Sequence, residues 1–265
     1  MTELEKQIIE MYIQKGGSIN NIHKRLNIST YYVNAVLTKY NIPKKSQSQV
    51  VRETQYPETC DFNEDFFEII DTPAKAYWLG WILTDGSVST TTLTFVLHSQ
   101  DSEILDLFCK DLKIGRKPTI RNNRVSLSIN SKKMINDLYE LGIYPNKSNT
   151  VTPFDVPEEL ENHYLRGMFD GDGGITVCTP RKLGRTPDKE FSFCGSFDTV
   201  NYFYKILKKN VPEINEKTLS LNGKSKVNYR VRWSGTNQIN RIGQWLYLED
   251  NGYCLKRKKE KILIS

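Results

Sequence analysis

Cysteine is sparse and unpatterned in this sequence. The five thiols lie at 60, 109, 178, 194 and 254, with no Cys-x-x-Cys spacing among them. An odd, scattered set argues against a disulfide framework or a structural zinc site and fits a reducing compartment. Long apolar runs are missing too: no stretch approaches the ~20 residues that a membrane helix needs. The opening residues, Met-Thr-Glu-Leu-Glu-Lys-Gln, lack the basic-then-apolar order of a secretory signal. A soluble, cytoplasmic protein is expected.

What is present is charge, unevenly placed. The 265 residues carry a net charge of +6. Residues 1–49 hold seven basic and three acidic side chains, whereas residues 50–75 hold two basic and seven acidic ones. The remainder, 76–265, holds 28 basic and 21 acidic. Two positive modules joined by an acidic segment suit two contacts with one polyanion.

The first module reads as three short helices. Leu4, Ile8 and Met11 share a face over residues 3–14, and Gly16-Gly17 ends that stretch. Ser18 is a natural N-cap for a second helix carrying Ile19, Ile22 and Leu26. After Asn27-Ile28-Ser29, a third helix turns Val33, Val36, Leu37 and Tyr40 inward, and Pro43 stops it. Helix, tight turn, helix is the helix-turn-helix pattern, whose second helix enters a DNA major groove. Thr30, Tyr31 and Asn34 on its other face are the expected DNA-binding residues. We expect this domain at 1–45 and a linker at 46–73.

The sequence also repeats itself. Residues 77–86 read Tyr-Trp-Leu-Gly-Trp-Ile-Leu-Thr-Asp-Gly, and residues 164–173 read Tyr-Leu-Arg-Gly-Met-Phe-Asp-Gly-Asp-Gly. Asp85 and Asp172 are 87 residues apart (172 − 85), a domain-scale duplication. In each copy two small residues stand four apart, Gly80 with Thr84 and Gly167 with Gly171. On a helix these share one face, and small faces let two backbones approach closely. A mid-helix glycine costs roughly 1 kcal/mol against alanine, so a helix interface is the expected compensation. Gly86 and Gly173 are expected helix stops. Side by side, such helices bring Asp85 and Asp172 together. Two adjacent carboxylates call for a cation between them, and hard oxygen ligands suit Mg²⁺ completed by water and phosphate oxygens.

These segments resemble the paired motifs of the LAGLIDADG homing endonucleases, in the single-chain form, over about residues 74–265. Matching residue by residue, the motif acid falls on Asp85 and Asp172 and the helix-packing glycine on Gly80 and Gly167. Trp78, Trp81 and Leu83 depart from the usual spelling of the first copy. The resemblance implies an α+β fold: a duplicated αββαββα domain with pseudo-two-fold symmetry, here preceded by the small all-α helix-turn-helix domain. It implies repeats at about 74–155 and 156–265, and saddle-shaped sheets on double-stranded DNA. It further implies metal-dependent double-strand cleavage of a long site, by a monomer with no obligate protein partner. Runs at 93–99, 124–130, 190–196 and 229–235 agree with its strands. Arg124, Ser126 and Ser128 alternate with apolar residues in the second run, as do Arg230 and Arg232 in the fourth. These are the expected DNA contacts of the sheets. Helix-like stretches at 131–141 and 237–248 each precede a basic element. A lysine beside the metal is implied in each half: Lys147 in the first, and Lys256 in the second with Lys258 close behind.

Other nuclease chemistries fit poorly. Gly142-Ile143-Tyr144 is half of a GIY-YIG signature, Asp111-Leu112-Lys113 half of a PD-(D/E)xK site, and His23, His98 and His163 are isolated from one another. The ends of the chain, Met-Thr and Ile-Leu-Ile-Ser, lead us to expect a free-standing enzyme rather than an intein. Two alternatives stay open: a non-cleaving regulator on the same fold, and an RNA maturase assisting an intron.

Overall fold

The computed structural model describes residues 1–14, 17–46, 49–50, 62–145, 151–178, 188–223 and 225–263. They form two compact units, 1–62 with 113–116 and 63–112 with 117–265.

The first unit holds α1 (Glu3–Ile13), α2 (Ile19–Leu26) and α3 (Thr30–Lys39). Side-chain caps start all three. The Thr2 hydroxyl accepts the Glu5 N–H while the Glu5 carboxylate accepts the Thr2 N–H, and the Ser18 and Ser29 hydroxyls accept from Asn21 N and Tyr32 N. The turn between α2 and α3 is made by Asn27 in the left-handed region, φ 51°. Ile8, Tyr12, Ile22, Val33, Val36 and Leu37 form the core. Tyr12 takes the inward place expected of the Leu4–Met11 stripe. Leu4 is exposed, because the buried stripe of α1 runs through positions 5, 8 and 12. The Glu5 carboxylate receives Lys39 Nζ at 2.8 Å and the Tyr40 hydroxyl at 2.9 Å, which hold its pKa down to about 2.

The second unit opens with α4 (Pro73–Asp85), capped by Thr72 with Pro73 in its first turn. Then follow β1 (Ser87–Val88), β2 (Thr92–His98), α5 (Ser102–Asp111), β3 (Thr119–Arg121), β4 (Arg124–Asn130) and α6 (Lys132–Glu140). The second half repeats this order: α7 (Glu161–Asp172), β5 (Gly173–Cys178), β6 (Asp188–Gly195), α8 (Phe197–Asn210), β7 (Ser220–Leu221), β8 (Tyr229–Ser234) and α9 (Thr236–Leu246). A final helix, α10 (Lys256–Leu263), is added. Each half is thus αββαββα. Each sheet is four-stranded and antiparallel, in the order β1-β2-β4-β3 and β5-β6-β8-β7.

Alternation assigns the faces. In β4, Val125, Leu127 and Ile129 are buried, and in β8 Val231 and Trp233 are. Helix α4 buries every residue from Ala76 to Leu83, and α7 every residue from Glu161 to Asp170. A helix buried all round is central, and these two are the spine of the unit.

Candidate active site

The two motif helices touch backbone to backbone. A Cβ on Gly80 would lie 2.2 Å from the Tyr164 carbonyl oxygen and 2.9 Å from Met168 N. A Cβ on Gly167 would lie 2.0 Å from the Tyr77 carbonyl oxygen and 2.9 Å from Trp81 N. These contacts exchange under the same 87-residue shift (167 − 80, 164 − 77, 168 − 81), so the interface is a pseudo-dyad. Gly171 packs on Thr84, whose Oγ1 would be 2.0 Å from an added Cβ, with Asp85 N at 3.5 Å. The small residues read from the sequence are therefore the contact itself. Mid-helix glycine is compensated by van der Waals contact that no side chain would permit.

Both helices end at the aspartates, and Asp85 and Asp172 are exposed. The glycines that follow stop both helices, as expected. Gly86 (φ −73°, ψ 129°) and Gly173 (φ −81°, ψ 153°) are extended, not left-handed. They are needed for lack of a side chain: a Cβ on Gly86 would meet Ile82 Cα at 2.8 Å, and one on Gly173 the Phe169 ring at 2.0 Å.

Lys258, on α10, is 5% exposed and reaches the end of α7. Its ammonium donates to the carbonyl oxygens of Phe169 (2.8 Å), Asp170 (2.7 Å) and Gly173 (2.6 Å), with Gly171 O at 3.3 Å. Phe169 O also accepts the capping Gly173 N–H, and the dipole at this helix end favours a cation. Burial pulls the Lys258 pKa down to about 8, against the opposing pull of Asp170, Asp85 and Asp172. Lys256 points elsewhere: it is exposed, its Nζ 2.5 Å from Glu103 Oε2. Lys147 lies outside the described residues. Arg257 makes a two-pronged ion pair with Asp101, both N–O distances 2.9 Å.

No family model matches the chain. An uncharacterized protein of Methanocaldococcus jannaschii, MJ1054, is 24% identical over 249 residues, covering 87% of this chain and 27% of that protein. The chain thus spans about a quarter of that relative's length. Among solved structures, the meganuclease I-SmaMI bound to uncleavable DNA superposes with a TM-score of 0.51 at 11% identity, covering 72% of this chain and 88% of that one. The LAGLIDADG homing endonuclease I-GzeII in complex with its DNA target gives 0.50 at 13%, covering 73% and 88%. The fold is the LAGLIDADG fold.

On a LAGLIDADG fold the solvent faces of the sheets are the broad surfaces, and the sequence-derived candidates lie there. Arg124, Ser126 and Ser128 alternate outward on β4, with the Ser128 hydroxyl 3.1 Å from that of Thr94 on β2. Arg230 and Arg232 face the same way on β8, opposite Cys194 and Ser192, and Arg232 reaches Glu190 at 3.3 Å. A surface recess of about 570 Å³ is lined by Val96, Arg121, Asn122, Arg124 and Ser126. In the first unit Thr30 and Tyr31 are exposed on α3, but the Asn34 amide donates to Thr30 O at 2.9 Å on its own helix.

Several residues of the site were not singled out by sequence. Arg121 and Asn122 sit where Asn122-Asn123, both at positive φ (46° and 61°), turn β3 into β4. An Asn pair ahead of an alternating run was the available signal. Asp170 and Arg166 are buried polar residues of α7. The Asp170 carboxylate accepts from the Tyr77 hydroxyl (3.0 Å) and Leu255 N (2.8 Å), and burial raises its pKa to about 6. Arg166 donates to Tyr253 O (2.7 Å), Leu246 O (2.8 Å) and His163 Nδ1 (2.6 Å). A guanidinium only donates, so His163 Nδ1 is the acceptor and the ring proton sits on Nε2.

That contact sets a pH dependence. Burial and the Arg166 charge lower the His163 pKa to about 4, with Asp250 pulling the other way. The unfolded imidazole takes up its proton near 6.5, the native one only near 4. The stabilisation is therefore full above about 6.5 and is lost as pH falls toward 4. Between those limits wild type should lose on the order of 2 kcal/mol relative to His163→Gln. Asp170, with its raised pKa, drives stability the opposite way in the same range and cancels in the difference. Urea titrations of the two proteins at pH 7 and pH 4.5 check this, and a pH-independent difference would refute it.

Proposed function

We propose that the chain is a site-specific endonuclease that hydrolyses both strands of a long double-stranded DNA site. The observation that carries this is that α4 and α7 pack backbone to backbone and each ends on an exposed aspartate, Asp85 and Asp172, with Gly171 packed on Thr84 beside them. A protein that only binds DNA has no chemical need for an acid at the end of each of two such closely packed helices.

The donor set fits a hard cation that is only partly held by protein. Among the described residues no group of three or more His, Cys, Asp or Glu side chains could hold a metal. Two carboxylates suit an ion that completes its shell with water and phosphate, as Mg²⁺ does. Bound by Asp85 and Asp172, it would supply an acidified water and neutralise charge on the leaving oxygen. The chain's own groups do the rest. Asp85 and Asp172 would hold the ion against which the scissile phosphates rest, and Lys258 holds positive charge at the end of α7 where negative charge develops. Hydrolysis forms a bond from phosphorus to the water oxygen and breaks that to the leaving oxygen, which takes a proton. Arg124, Ser126, Ser128, Arg230 and Arg232 hold the duplex on the sheets. Lys147 is the candidate first-half lysine. Lys258, rather than Lys256, is the candidate in the second. Because one chain carries both acids, a monomer suffices.

In the same reading α2 and α3 are a helix-turn-helix that adds a second DNA contact through Thr30, Tyr31 and Asn34. Removing residues 1–45 should weaken binding to the selected site about tenfold or more, as loss of a contact worth some 1.4 kcal/mol does. Cutting at saturating protein should persist. Mobility shift and cleavage assays on the truncated chain test this, and loss of cutting by a folded truncation would contradict it.

The deciding experiment is selection from a random-site DNA library with Mg²⁺. Double-strand breaks at one long site support the endonuclease. Enrichment of a site that is never cut would make the protein a regulator instead, and binding confined to structured RNA would make it a maturase.

A further inference from the structure

We propose that Asp170 is a positioning residue that makes only one of the two half-sites depend on a buried carboxylate, so that replacing it turns a double-strand cutter into a nicking enzyme. This rests on the endonuclease reading and concerns what holds Lys258 in place. Asp170 is 1% exposed. It therefore touches neither DNA nor any ligand of Asp172, two residues on.

One of its oxygens, Oδ2, gathers two parts of the fold. It accepts the Tyr77 hydroxyl from α4 and the backbone N–H of Leu255, the residue before α10. Arg166, one turn earlier on α7, fastens the same segment by donating to Tyr253 O. Residues 253 and 255 are thus both tied to α7, and three residues on, Lys258 returns to the Asp170 and Gly173 carbonyls. The arrangement is a short strap whose register is set at Leu255 and whose cargo is the ammonium.

Among the described residues the pseudo-dyad gives the Asp170 acceptor no counterpart. The position related to Asp170 by the 87-residue shift is Leu83 (170 − 87), buried and with no acceptor to offer. Loss of the Asp170 acceptor leaves the Leu255 N–H and the Tyr77 hydroxyl unpaired in a buried place, and the strap must move to satisfy them.

The test uses the full chain and a duplex carrying the library-selected site, each strand labelled separately. Wild type, Asp170→Asn, Asp170→Leu and Asp172→Asn are compared. Hydrogen exchange of residues 253–263 is measured on the metal-free proteins. Asn keeps an acceptor at the same reach, whereas Leu is the side chain of the pseudo-equivalent position. Asp170→Leu should slow one strand roughly tenfold to a hundredfold, the effect of displacing a group near the chemistry by about an ångström. The other strand should stay within about threefold of wild type, so nicked product accumulates, and residues 253–263 should exchange faster. Asp170→Asn should cut both strands and exchange as wild type does. Equal slowing of both strands by Asp170→Leu, or an Asn variant as strand-biased as the Leu variant, overturns the proposal. Should the Leu variant not fold, Asp170→Ser, too short to reach Leu255 N–H, is read the same way. A wild type that cuts neither strand removes the endonuclease reading and this inference together. A wild type that cuts, with Asp172→Asn inactive and Asp170→Leu unbiased, removes this inference alone.

Discussion

Asp85→Asn and Asp172→Asn each lower the rate of double-strand cleavage by at least about 10²–10³-fold, the range seen when a preorganised electrostatic partner of the transition state is removed. The amide keeps the size and shape of the carboxylate and removes its charge, which both cation binding and phosphate positioning need. Because both residues are exposed at helix ends, the folded state should barely register the change, within about 0.5 kcal/mol. Single-turnover rates at saturating protein, together with melting temperatures, separate the two effects. Rates within tenfold of wild type in either variant would show that the pair does not work as a unit. Equal loss of rate and of stability would make the aspartates structural.

How much of this was visible beforehand depended on whether a residue's partners were near it in the sequence. The motif helices were legible because Gly80, Gly167 and Gly171 must be small for a reason that recurs at 87 residues, and the recurrence needs no knowledge of the fold. Strands β2, β4, β6 and β8 were legible as runs, and β4 and β8 from alternation. Strand β3 was hidden by its three-residue length, and β5 by the Gly-Gly that opens it. The central lysine was harder. Five of the six residues from 256 to 261 are Lys or Arg, and within such a run charge does not tell inside from outside. Yet helical phase could have. Leu255 and Ile262 are the apolar markers of α10, and 258 lies one turn from 262 on their face. In the structure Ile262 Cγ2 presses on Gly243, 2.1 Å from where a Cβ would be, and Lys258 follows it inward. Asp170 and Arg166 were not legible at all. Apart from His163, three residues from Arg166, their partners are the Tyr77 hydroxyl and backbone groups at 246, 253 and 255, all more than 75 residues away.

Gly167→Ala should be strongly damaging, destabilising by about 3 kcal/mol or more, at the upper end of what overpacking a core costs. The added carbon would sit 2.0 Å from the Tyr77 carbonyl oxygen and 2.9 Å from Trp81 N. Both obstacles are backbone atoms of a helix buried all round, so no rotamer change relieves the clash and the helices must separate. Separation costs contact along the whole interface, including the packing of Thr84 on Gly171, and it opens the gap between Asp85 and Asp172. Against this, alanine gains roughly 1 kcal/mol in helix propensity over glycine, which is too little to reverse the sign. Gly80→Ala meets the equivalent obstacle, Tyr164 O at 2.2 Å, and should cost a similar amount. The pair tests the mechanism more sharply than either alone. Once one methyl has pushed the helices apart, the second finds less to strike, so the double variant should be destabilised by clearly less than the sum. Urea denaturation of the four proteins gives the coupling. Additive losses would mean that the two glycines do not report on one shared interface, and an Ala variant as stable as wild type would refute the backbone contact itself.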